Sequence, residues 1–142
     1  MYNVMKTSDI NNGFTLIELL VVITVIGVLA SVILSSLNDA RVDAIDAKIQ
    51  SEMSSLAKRA HIEESQNLTY DTVCGTNGYS TSTNIMDIIT SINNFASSTV
   101  VCNSDPTAFA VSVALGAEYW CVDSLGSSKS IPATLTTELQ CP

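Results

Sequence analysis

The chain reads as α+β: one long N-terminal α-helix with an apolar first half, packed on a small antiparallel β-sheet domain. Three observations lead there. An apolar run fills Phe14–Leu37 (FTLIELLVVITVIGVLASVILSSL), and an amphipathic run free of proline and glycine follows it. Short alternating segments set apart by turn residues then occupy the C-terminal half. At 142 residues the chain is on the scale of one globular domain.

Residues 1–13 (MYNVMKTSDINNG) are short, polar and poor in order-forming residues. The run over 14–37 then turns abruptly apolar, and about 20 apolar residues are enough to span a bilayer as a helix. An ordinary secretory signal would have a shorter apolar core and a small-x-small cut site. A simple anchor would have no reason to place Glu18 near its start. A carboxylate at membrane depth costs about 2.5–3.5 kcal/mol at a helix centre and less near the headgroups. Either Glu18 lies near the headgroups or it has a cationic partner. The segment holds no Lys or Arg. A new amino terminus at Phe14, made by cleavage after Gly13 and offered by a neighbouring copy, would be such a cation.

Over residues 38–66 the pattern becomes amphipathic. Ile45, Ile49, Met53, Leu56 and Ala60 draw one apolar stripe at helical spacing. Asp39, Arg41, Asp43, Asp46, Lys48, Glu52, Lys58, Arg59, Glu63 and Glu64 fill the other faces. No proline or glycine interrupts Val28–Gln66, so one helix of about 50 residues is expected, its striped half covered by the domain that follows. A coiled coil is disfavoured because the stripe is shorter than the heptad runs that sustain one.

Residues 67–142 form the expected globular part. Asn67–Ser82 reads as an extended loop holding Cys74. Thr83 or Asn84 caps a helix to about Phe95, with Ile85, Ile88, Ile89 and Ile92 on one side. Ala108–Leu115 alternates as a strand, Glu118–Asp123 is a second, and Lys129–Ala133 a third. One face of this sheet is expected on the helix stripe. Tyr79, Tyr119 and Trp120 are expected in the core.

Charge and cysteine content narrow the function. The formal net charge is −8, and after Ser65 six acids face one base, Lys129. Such a domain repels phosphate backbones, so direct nucleic-acid binding is not expected. Cys74, Cys102, Cys121 and Cys141 show no CxxC, and the lone His61 lies apart from them, so no zinc site is expected. They fit a disulfide framework in an oxidising compartment. Three pairings are open to sequence; Cys74–Cys102 and Cys121–Cys141, neighbours along the chain, are favoured because they close short loops, each worth about 3 kcal/mol. No catalytic motif, phosphate loop or calcium loop is present, so neither enzyme activity nor a cofactor is expected. Asp87, Asp105 and Asp123 read as turn and surface carboxylates. Asn67-Leu68-Thr69 matches a glycosylation sequon and is taken as incidental.

Gly13-Phe14-Thr15-Leu16-Ile17-Glu18-Leu19-Leu20 resembles the prepilin processing site of type IV pilins and type II secretion pseudopilins. The resemblance covers residues 8 to about 65 and rests on a glycine before the cut, a phenylalanine after it and a glutamate shortly inside the mature chain. It implies removal of residues 1–13, N-methylation of Phe14 and a role for Glu18 in subunit assembly. It also implies the family's ladle-shaped layout, with Cys141 tying back the tail as in many pilins. Two positions depart from the pattern: Asn11 and Asn12 stand where basic leader residues are usual, and Ser35 stands where many members have proline. Any loosening of the helix would then depend on Gly27 and the Ser35-Ser36 pair.

The implied partners are a prepilin peptidase/methyltransferase, a pilus assembly platform with its ATPase, and further copies of the chain in a helical filament. The implied locations are the inner membrane before assembly and the cell surface after it. A pseudopilin of a type II secretion system, or a membrane-tethered surface binding domain, are the alternatives.

Overall fold

The computed structural model describes residues 13–142, so all of the expected leader but Gly13 lies outside the described residues. The elements run α1 (Leu16–Asn67), α2 (Asp71–Cys74), α3 (Thr83–Asn93), β1 (Val101–Ser104), β2 (Phe109–Leu115), β3 (Glu118–Asp123) and β4 (Ser128–Ile131). The four strands form one antiparallel sheet in the order β1-β2-β3-β4. The chain is therefore α+β, a long N-terminal helix with a small antiparallel sheet. It divides into two compact units, Met1–Ala40 and Arg41–Pro142.

In the first unit, α1 passes through Gly27 without a break. A lone glycine costs a helix only about 1 kcal/mol relative to alanine, too little to end one with good helix formers on both sides. The backbone stays helical across Ser35 and Ser36 as well.

In the second unit the stripe does the packing. Ile49, Met53, Leu56 and Ala60 are buried against Phe109, Val111 and Val113 of β2, Val122 of β3, and Ile85 and Ile92 of α3. Two stripe assignments change. Ile45 is 38% exposed and lies outside this core. Glu63, expected on a charged face, is buried, because it continues the stripe three residues after Ala60. Arg59 makes that burial tolerable, with its Nη2 2.8 Å from Glu63 Oε1.

The segment after α1 is not an extended loop. Asp71 nucleates α2 there: its carbonyl accepts from Gly75 N and Thr76 N, and its buried carboxylate accepts from Thr69, Thr76 and Asn77. Gly75 ends α2 at φ +76°, where an added Cβ would stand 2.8 Å from Thr81 Oγ1. The cap of α3 is Ser82, one residue ahead of the expected position, with its Oγ accepting from Ile85 N.

The sheet is covered on both faces. Phe109, Val111 and Val113 face α1, while Ala110 packs with Cys121, Ile131 and Leu135 on the other side. Ser112 is also buried and accepts Leu135 N, so the chain after β4 returns across the outer face. The third expected strand is β4, which starts one residue early and stops before Pro132, a residue that cannot donate to the ladder. β1 was not legible, being four residues of mixed polarity. Tyr79 is exposed rather than core, whereas Tyr119 and Trp120 are half-buried. Asp123 sits at a turn, as expected, but is buried rather than on the surface.

Candidate functional site: the start of the apolar helix

Gly13, Phe14 and Thr15 precede the helix and are exposed. Phe14 is 79% exposed, and a Cβ on Gly13 would meet nothing within 4 Å. The peptide between Gly13 and Phe14 is therefore open to approach.

Glu18 is engaged locally. Its Oε2 accepts from Thr15 N at 2.9 Å and from Thr15 Oγ1 at 2.8 Å, while Glu18 N donates to Thr15 Oγ1 at 3.3 Å. This is a reciprocal capping box, threonine at the N-cap and glutamate three residues on, which satisfies amides that a helix start leaves orphaned. A carboxylate there also meets the positive end of the helix dipole. The T-x-x-E spacing ahead of an apolar run is the sequence signal for this role. Glu18 Oε1 receives no hydrogen bond among the described residues, so one oxygen stays free for a donor from outside.

Two hydroxyls within the apolar stretch bond to carbonyls of their own helix. Thr24 Oγ1 donates to Val21 O and Ser31 Oγ to Val28 O. In lipid that matters, because an unsatisfied polar group there costs several kcal/mol. The large apolar side chains from Phe14 to Leu37 are 47–82% exposed, and the helix is long and apolar enough to cross a membrane.

The second unit carries the other expected features. Cys74 is bonded to Cys102 and Cys121 to Cys141, with Cα–Cα distances of 5.5 and 5.8 Å. The first bond ties α2 to β1; the second ties the chain end to β3. Asp123 reinforces the latter, its Oδ2 accepting Cys141 N and its Oδ1 accepting Leu125 N and Ser127 N. Burial alone would push the Asp123 carboxyl up, but these amide donors outweigh it and hold it below the ordinary carboxylate range. His61 is exposed, with its Nδ1 2.9 Å from Tyr70 Oη and its ring edge-on to Phe109. Asp87 is exposed and Asp105 closes its own turn through Thr107 and Ala108. In the sequon, Asn67 Nδ2 donates to Glu63 and the Thr69 hydroxyl to Asp71, so both side chains are occupied.

Against known proteins, a family described as the prokaryotic N-terminal methylation motif matches residues 10–34. The match covers the site just described and all but the last three residues of the apolar run. No curated protein and no solved structure matches the chain. The motif is consistent with a type IV pilin-like or pseudopilin protein in general and with processing by a prepilin peptidase. The apolar helix that follows is compatible with membrane anchoring before assembly.

Proposed function

We propose that this chain is a structural subunit of a type IV pilus-like filament. The first 13 residues are removed, Phe14 is N-methylated, and the helix from Phe14 to Leu37 holds the subunit in the inner membrane. An assembly platform and its ATPase then draw it out into a helical homo-oligomer at the cell surface. The observation that carries this reading is Glu18: the sole formal charge between Phe14 and Asn38, with one carboxylate oxygen left unbonded at the head of an uncovered apolar helix. The amino terminus of an adjacent subunit supplies the missing donor, and that charge match sets subunit register. The stapled C-terminal tail favours a pilus subunit over a secretion pseudopilin.

Two measurements test this. The mass of the mature chain should correspond to Phe14–Pro142 carrying one added methyl group, whereas a chain retaining Met1 means a membrane-tethered domain instead. Glu18→Val should insert in the membrane and form both disulfides, yet give at least about tenfold fewer filaments. Filament yield equal to the parent would remove the register role.

A further inference from the structure

Just after α2 the chain makes a tight turn through Thr76, Asn77, Gly78 and Tyr79, closed by Tyr79 N donating to Thr76 O at 2.9 Å. Asn77 and Gly78 hold φ +51° and +86°, and asparagine before glycine is the pair that adopts such angles most readily. Both residues are exposed, and a Cβ on Gly78 would meet nothing within 4 Å. The Gly78 N–H has no hydrogen-bond acceptor among the described residues. Asn77 Nδ2 has one, donating to Asp71 Oδ1 at 2.9 Å. Thr69 and Thr76 donate to the same carboxylate, and Thr76 Oγ1 lies 3.0 Å from Ser104 Oγ of β1. Asp71 itself is 2% exposed.

We propose that Asn77 is a site of self-modification, losing its side-chain amide to attack by the nitrogen of Gly78. The Gly78 nitrogen bonds to Asn77 Cγ and closes an imide ring as the Cγ–Nδ2 bond breaks. Nδ2 leaves as ammonia, taking the proton that Gly78 N gives up. Water then opens the ring at one carbonyl or the other and yields aspartate or isoaspartate. Amide and water thus become carboxylate and ammonia, with no change of oxidation state. Glycine suits this nucleophile because no Cβ crowds its approach. Every other asparagine from Gly13 onward precedes a residue that carries a side chain. Ring closure swings the Asn77–Gly78 peptide out of its present orientation, so it proceeds when the short surface turn opens. The product sets a carboxylate, in place of a donor, against the buried Asp71 carboxylate, and like charges so close repel. Modification therefore loosens the grip of Asp71 on α2.

This chemistry is independent of filament assembly. The other Asn-Gly pair, Asn12-Gly13, lies in the stretch that processing would remove, and peptide mapping keeps it apart from Asn77. The purified full chain is incubated in detergent at mildly alkaline pH, and its peptides are mapped by mass over time. The peptide carrying Asn77 should undergo the amide-to-acid mass change and split into aspartyl and isoaspartyl forms. It should do so at least about tenfold faster than the peptides carrying Asn84 or Asn103. Equal rates, or an Asn77 that stays amidated in the folded chain and converts only in denaturant, overturn the proposal. Asn77→Asp fixes one product, and aspartate tolerates the left-handed backbone, so its effect reads charge rather than strain. That variant should unfold at a lower denaturant concentration than the parent. An equal midpoint overturns the effect on Asp71.

Discussion

The two units hold the same kinds of side chain in opposite ways. In Arg41–Pro142, Ile49, Leu56, Ile85, Ile92, Val111 and Val113 point inward, closed between α1, α3 and the sheet, with two disulfides fixing the edges. In Met1–Ala40 the described apolar side chains point outward on every side, with Glu18 and Asp39 as the only formal charges from Gly13 onward. Burial within a unit makes a fold; apolar surface left open makes an affinity for lipid or for other chains. The difference teaches that hydrophobicity alone does not assign a role, since the role depends on whether the neighbouring chain closes over it.

A matched pair of substitutions should expose that difference most strongly. Phe109→Ala removes the largest fully buried side chain of the second unit and should lower its unfolding free energy by about 3–5 kcal/mol. Leu29→Ala, in the open helix, should move the same transition by less than about 0.5 kcal/mol and act on membrane retention instead. Denaturant unfolding of the full chain in detergent, followed by the fluorescence of Trp120, measures both. Equal shifts would break the comparison. Next in size, replacing Cys74 and Cys102 with serine opens a loop of 28 residues and should cost about 3–4 kcal/mol in the same assay. A loss below about 1 kcal/mol would mean that the contacts of Asp71 already hold α2 in place.

How much was legible followed from how strongly each signal was local. α1 and β3 stood out because their periodicity is long or regular, and the motif at Gly13–Glu18 because its spacing is fixed. The alternation of Phe109, Val111 and Val113 against Ala110 and Ser112 located β2, yet it suggested one open face. It could not show that Leu135 and Ile131 return to cover the small residues. That contact joins positions far apart in the chain, and alternation carries no record of it. Glu63 and Asp123 were misplaced for a related reason: carboxylates are rarely buried, and only the positions of Arg59 and of the Cys141 amide make these two exceptions. The capping role of Glu18 is legible in T-x-x-E ahead of an apolar run, since both partners lie within one helical turn.

Asp123 offers a smaller effect with a pH signature. Asp123→Asn turns one of its acceptor positions into a donor, facing either the Cys141 amide or those of Ser127 and Leu125, and should cost about 1–3 kcal/mol near neutrality. The folded carboxyl is held below its ordinary value, so its stabilisation is complete above the unfolded value of about 4 and is lost as pH falls through the folded one. The parent should therefore exceed Asp123→Asn in stability at about pH 7, with the gap closing toward about pH 2. A gap that stays constant with pH would assign the loss to packing rather than to charge.

The smallest effect separates two exposed leucines that look alike. Leu16 and Leu68 are 82% and 83% exposed, one at each end of α1. Leu16 opens the apolar helix, which under the proposed function packs on lipid or on another subunit. Leu68 has a different cause: it ends α1 in the left-handed region at φ +57°, its N–H reaching Glu64 O at 2.7 Å. That conformation costs an L-residue about 1–2 kcal/mol. Glycine adopts it freely, though its unfolded chain has more freedom to lose. Leu68→Gly should therefore stabilise the second unit by about 0.5–1 kcal/mol and leave filament yield unchanged. A loss of filaments would give Leu68 a contact with another subunit and move it into the class of Leu16.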